Sequence, residues 1–124
     1  MFKLNQLGKH LLVEYYDCDV ETLKNTLLIE KYMIEAAEAA KATIVKSVFH
    51  TFNPWGVSGV IVIEESHLTI HTWPEYKYAA VDLFTCGDML DPLAAFTLLK
   101  MKLKAERFDL KKMLRGSLKE IFKE

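Results

Sequence analysis

The sequence predicts an α+β fold, a two-layer sandwich in which a mostly antiparallel sheet carries two helices on one face. Three observations predict it. Four β-rich segments follow one another between residues 43 and 84, separated only by short punctuated gaps. A helical pattern with a start signal lies on either side of that block. The resulting order, β-α-β-β-β-β-α-β, suits one sheet covered on a single face.

The elements follow in order. Gly8, Lys9 and His10 lead into a first strand over 11–16, closed by Asp17-Cys18-Asp19. Asp19 can cap a helix, and Glu21 suits the positive end of the helix dipole. Leu23, Leu27, Ile34 and Ala37 recur at helical spacing to about Lys41, through an alanine-rich stretch of high helix propensity. Strands are then predicted over 43–52, 59–63, 67–72 and 79–84. Asn53-Pro54-Trp55-Gly56 punctuates the first gap and Trp73-Pro74-Glu75 the third. Asp91-Pro92 starts the second helix, with Leu93, Phe96 and Leu99 as its apolar stripe. A last strand is predicted over 107–114, ending at Gly116, although its lysine-rich run also permits a helix. A charged, helix-like tail follows.

Composition narrows the function. The 124 residues suffice for one domain with a sizeable core but not for two. A formal net charge of -1 provides no field to recruit nucleic acid or an anionic membrane. No apolar run approaches the ~18 residues that span a bilayer, and the first six residues lack the apolar core of a signal peptide. The expected location is cytoplasmic. Cys18 and Cys86 form neither a disulfide framework nor a zinc motif, so both are expected as thiols, with no metal. A sheet covered on one face leaves the other for water or a partner. Aromatic and histidine side chains along the central strands favour a partner, and a homodimer is expected.

The unusual stretch is Glu64 to Glu75. It reads as a strand end, a tight connection and a second strand, yet it holds Ser66 preceded by two carboxylates, then His67, His71, Trp73 and Glu75. A serine in a turn ordinarily satisfies nearby backbone groups. The sharper reading is an internal nucleophile, its hydroxyl attacking the Glu65 carbonyl to replace the peptide bond with an ester. That reaction requires a strained backbone, an oxyanion donor and a base. Histidine titrates in the range a base needs. His71 is the candidate, and His67 is read as structural because strand alternation points it away from Ser66.

The run from Glu65 to Glu75, with Phe84-Thr85-Cys86-Gly87, resembles the prokaryotic S-adenosylmethionine decarboxylases, and the likeness extends from Gly8-Lys9-His10-Leu11 into the second helix. The resemblance implies a proenzyme that cuts itself between Glu65 and Ser66 into a beta chain, 1–65, and an alpha chain, 66–124. Ser66 would become a pyruvoyl group serving as the electron sink, with no pyridoxal phosphate. It further implies that His71 and Ser58, in Gly56-Val57-Ser58-Gly59, assist processing, and that Cys86 returns a proton to the substrate after carbon dioxide leaves. Phe52 and Trp73 would stack on adenine and attract a cationic sulfonium, and Glu75 would accept hydrogen bonds from the ribose. The substrate implied is S-adenosylmethionine, decarboxylated to the aminopropyl donor for spermidine. Alternatives are an arginine or ornithine decarboxylase of the same superfamily, or a non-cleaving relative that only binds a partner. The joint presence of Ser58, Ser66, His71 and Cys86 weighs against the last. Lys77 departs from the family, where a small residue, usually glycine, is expected.

Overall fold

The computed structural model describes residues 5–123; Met1 to Leu4, part of the segment read for a signal peptide, lie outside the described residues. Six strands, β1 (Gln6–Tyr16), β2 (Ile44–Thr51), β3 (Val57–Ile63), β4 (Ser66–Trp73), β5 (Tyr78–Thr85) and β6 (Arg107–Ser117), form one sheet in the order β2-β3-β4-β5-β1-β6. Every pairing in it is antiparallel. Helices α1 (Val20–Lys24), α2 (Thr26–Ala39) and α3 (Pro92–Lys102) lie on one face, and α4 (Leu118–Ile121) ends the described chain. The α+β sandwich is therefore as the sequence predicts.

Alternation fixes which face is dry. In β4 and β5, Leu68, Ile70, Val81 and Leu83 point to the helices and are fully buried. They meet Leu23, Ile29, Met33, Phe96 and Leu99 from α1, α2 and α3 in one core. Tyr15 enters that core from β1 and donates its hydroxyl to the Phe96 carbonyl at 2.8 Å, which satisfies its own buried polar atom. The opposite face carries no helix among the described residues. It presents His10, Leu12, Val48, Val62, His67, His71 and Trp73.

Three expectations need correction. The first helix is not continuous from Asp19 to Lys41: it breaks at Asn25, whose N–H bonds the Thr22 carbonyl while its side chain caps α2 through the Leu28 N–H. A short side chain that competes for backbone hydrogen bonds favours a cap over a helix interior. Asp19 does cap α1, accepting from the Thr22 N–H at 3.0 Å. Second, the break rotates the apolar stripe of the segment, so Leu27 is 80 % exposed while Ile29, Met33 and Ala36 are buried. Third, Leu93 in α3 is likewise exposed, and Ala95, Phe96 and Leu99 make the contact. The lysine-rich segment is strand rather than helix, because β1 is long enough to pair along all of it, from Gln6 opposite Ser117 to Tyr16 opposite Arg107.

Candidate active site

The hairpin joining β3 to β4 sets the geometry at Ser66. A two-residue connection between twisted strands normally needs positive φ in its central residues, supplied by Gly or Asn. Glu64 and Glu65 are neither, and the positive φ falls on Ser66 instead, at +150°. A non-glycine residue in this region costs on the order of 1–3 kcal/mol and persists only where its surroundings over-determine it. The turn is held by Thr43: its carbonyl accepts the Glu64 N–H at 2.9 Å, and its own N–H donates to Glu65 Oε1 at 3.1 Å.

Two further contacts bear on the Glu65–Ser66 peptide. The Glu65 carbonyl oxygen accepts the Cys86 N–H at 3.1 Å, so the carbonyl a Ser66 attack would strike already has a donor aimed at its oxygen. The Ser66 Oγ lies 3.6 Å from the Cys86 Sγ. Strained backbone, a backbone N–H on the Glu65 carbonyl and a thiol thus gather at one end of the β4–β5 pair, where Ser66 stands opposite Thr85.

The remaining candidates gather at the other end. Ser58 on β3 is in register with His71 on β4, and Ser58 Oγ and His71 Nδ1 are 2.5 Å apart. In the tautomer with its proton on Nδ1, His71 donates to Ser58 and Nε2 keeps a lone pair; in the other, the Ser58 hydroxyl donates to Nδ1. Beside them a cleft of ≈ 460 Å³ is lined by Phe52, Ser58, His71, Trp73 and Glu75, together with the loop over residues 53–57. Its volume lies in the range of small-ligand sites, roughly 300–1,000 Å³. Phe52 and Trp73 are each more than two-fifths exposed, so core packing does not account for them. Thr72 anchors this end: it accepts the Val57 N–H at 2.9 Å and donates to the Leu23 carbonyl at 2.9 Å. Lys77 ends the single 3-10 turn over Pro74–Tyr76 with φ of +53°, the left-handed position that glycine fills most cheaply. Its side chain is exposed and does not line the cleft.

Within one chain the two groups do not meet. His71 shares the open face with His67, and five residues of strand separate it from Ser66, about 16 Å at ~3.3 Å per residue. Sequence reasoning also missed Asp82. It sits mid-strand between Val81 and Leu83, and a lone carboxylate in an apolar strand is the signal that could have found it. Its Oδ2 is 2.5 Å from His10 Nε2 and 3.4 Å from His67 Nε2, and the Thr69 hydroxyl donates to Oδ1. Burial pushes the Asp82 carboxyl up, but the hydrogen bonds from Thr69 and His10 and the charges of His10 and His67 outweigh it and hold it below the usual range. At Cys18 burial acts with the neighbouring Asp17 charge, and the thiol is pushed up to about 12. That suits an inert core cysteine, whereas Cys86 is exposed.

A serine of strained backbone next to a donor-bound carbonyl, with a thiol beside its hydroxyl and an aromatic, acid-edged cleft on the same sheet, can be set against known proteins. The family model for S-adenosylmethionine decarboxylase matches residues 9–116. The chain belongs to that family. Among curated relatives, the S-adenosylmethionine decarboxylase proenzymes of Thermosipho melanesiensis and Thermotoga maritima are each 58% identical over 118 residues, covering 95% of this chain and 91% of theirs. The crystal structure of the adenosylmethionine decarboxylase from Aquifex aeolicus VF5 superposes with a TM-score of 0.83 at 33% identity, covering 91% of this chain and 93% of that one. The family member described here is accordingly a carboxy-lyase with the fold of its solved relative. None of its helices, among the described residues, is long and apolar enough to cross a membrane.

Proposed function

We propose that the chain cleaves itself between Glu65 and Ser66 and that the product decarboxylates S-adenosylmethionine, in the cytoplasm, for spermidine synthesis. The observation that carries this reading is the strained Ser66 beside a Glu65 carbonyl that accepts the Cys86 N–H. The Ser66 hydroxyl attacks that carbonyl, the peptide C–N bond breaks, and the proton passes to the Ser66 nitrogen, leaving an ester. A base then removes the Ser66 Cα proton and Glu65 departs as a free carboxylate carrying Oγ. Water replaces the nitrogen at residue 66, ammonia is lost, and a pyruvoyl group remains. Residue 66 fits that group: it is a serine, it begins a strand, and Cys86 Sγ lies beside its side chain. The pyruvoyl carbonyl supplies an electron sink for the pair released when the carboxylate leaves the substrate. Cys86 Sγ is positioned to return a proton to the substrate carbon. The aromatic faces of Phe52 and Trp73 suit adenine and a sulfonium, and Glu75 suits the ribose hydroxyls.

The base is proposed to come from a second copy. His71 is about 16 Å from Ser66 along its own strand, whereas proton transfer needs roughly 2.6–3.2 Å or one bridging water. The open face carries exposed Leu12, Val48, Val62 and Met113, an apolar surface suited to sheet-on-sheet packing. A two-fold axis between such sheets, perpendicular to β4 near Leu68 and Thr69, reverses the strand and sets each Ser66 opposite the partner's His71. The assembly is a homodimer with two composite sites.

Denaturing gels with intact mass test the first step: fragments 1–65 and 66–124 are expected, the second blocked to N-terminal sequencing and reducible by borohydride. Carbon dioxide release from S-adenosylmethionine, arginine and ornithine tests the second. Active material consisting only of intact 124-residue chains would overturn the proposal.

A further inference from the structure

Asp82 takes no part in the chemistry above, yet it ties together side chains from two other strands on the open face. His10 on β1 and His67 and Thr69 on β4 all converge on its carboxylate. His67 stacks on Phe84, with centroids 5.7 Å apart at 22°, and His10 meets both rings edge-on at 6.0 and 5.5 Å. From β6, Arg115 lies over Phe84 at 5.8 Å with Nη1 3.5 Å from His10 Nδ1. Two histidines and a carboxylate are also a metal donor set. Here, however, the 2.5 Å between His10 Nε2 and Asp82 Oδ2 is a hydrogen-bond distance, whereas two ligands on a tetrahedral ion with bonds of ~2.0–2.1 Å stand about 3.3 Å apart. The array shares protons.

Its position in the chain gives it a task. His67 is the residue after Ser66, and Phe84 lies two residues before Cys86. The N-terminal side of the scissile bond is pinned by Thr43; on the C-terminal side the first anchored side chain is His67. We infer that Asp82 is a positioning residue for self-cleavage. By holding His67 against Phe84 it fixes the strand that follows the scissile bond, so that Ser66 keeps its positive φ next to the Glu65 carbonyl. This rests on the self-cleavage reading. The carboxylate matters because it accepts from the His10 imidazole and the Thr69 hydroxyl at once and sets a negative charge 3.4 Å from His67 Nε2; an amide would remove that charge and turn an N–H₂ toward one of those groups.

The experiment follows cleavage of freshly made full-length precursor for wild type, Asp82→Asn, Thr69→Val and Thr69→Ser, with and without hydroxylamine, which cuts an accumulated ester. Melting curves and sedimentation accompany each variant. Asp82→Asn is expected to cleave roughly tenfold to a hundredfold more slowly while folded and dimeric, the scale of an ångström-level misplacement. Hydroxylamine should not restore it, because the ester does not form. Thr69→Val should slow cleavage and Thr69→Ser restore it, which decides the matter if Asp82→Asn fails to fold or to dimerise. Cleavage of Asp82→Asn at the wild-type rate overturns the inference, and so does a slow variant that hydroxylamine rescues, because its Ser66 would still be well placed. A wild-type chain that never cleaves would instead sink the self-cleavage reading itself.

Discussion

Heterodimers built from two inactive chains test the composite site directly. One chain carries Ser66→Ala and keeps His71; the other carries His71→Ala and keeps Ser66. Each forms a homodimer that lacks one required group at both sites. In the heterodimer, the chain with Ser66 faces the intact His71 of its partner, and the other site lacks both groups. About half of the chains should therefore be cut, all of them the His71→Ala chain, as two-fold symmetry requires. Exchanging the two tags should leave the His71→Ala chain as the one that is cut. Wild type paired with the double variant Ser66→Ala/His71→Ala has its only nucleophile facing an alanine and should stay intact. The force of the test lies in the five-residue separation, about 16 Å, which no rotamer of His71 spans. The assay is co-expression with two tags, tandem purification and intact mass. Cleavage of the wild-type chain in the second pair, with none in the first, would show that the base acts within its own chain and would refute the argument.

Cys86→Ala should still cleave, since the donor to Glu65 is a backbone N–H that alanine retains, while carbon dioxide release falls about 10²–10⁴-fold for loss of a general acid; unchanged turnover would remove the thiol from the reaction. Gly59→Ala should destabilise, because its Cβ would lie 2.1 Å from the Phe49 ring. Overpacking of about 1–3 kcal/mol lowers the melting midpoint of a chain this size by roughly 4–12 °C, and an unchanged thermal scan would contradict it. The Asp82 carboxyl is depressed in the folded state, so its stabilisation is present above the unfolded carboxyl value of about 3.9 and is lost as pH falls through the lower folded value. The gap between wild-type and Asp82→Asn midpoints should then shrink as pH drops below about 4, and a gap constant with pH would contradict the assignment.

The sheet was legible because its evidence is local: β-branched runs, short gaps and a Pro at each long connection predict four of the strands to within two residues of their observed ends. The helix break at Asn25 was not, since whether an asparagine caps or continues depends on the tertiary packing that rewards rotation of the apolar stripe. Ser66, Cys86 and the Ser58–His71 pair were nameable from a local motif and its likeness to a family. That they form two groups at opposite ends of β4 was not, because alternation says only that His67 and His71 share a face. Asp82 escaped for a related reason: its importance comes from partners 72 and 13 residues away in sequence.

The strain at Ser66 and the division of the site have a common origin in β4. A relaxed residue 66 would follow the alternation of Leu68 and Ile70 and turn its hydroxyl toward the helices, away from any open-face group. The hairpin prevents this, because its two acidic central residues pass the positive φ on to Ser66. The same short hairpin ends β3 at Ile63, so the hydroxyl of Ser58 lies opposite His71 and far from the bond to be cut. If Ser66 is the nucleophile and His71 the base, as proposed, an antiparallel strand that holds them at opposite ends gains a complete site only when a second copy runs alongside it in reverse. Chains kept monomeric should then stay whole in intact mass, and cleavage of a monomer would refute the proposal.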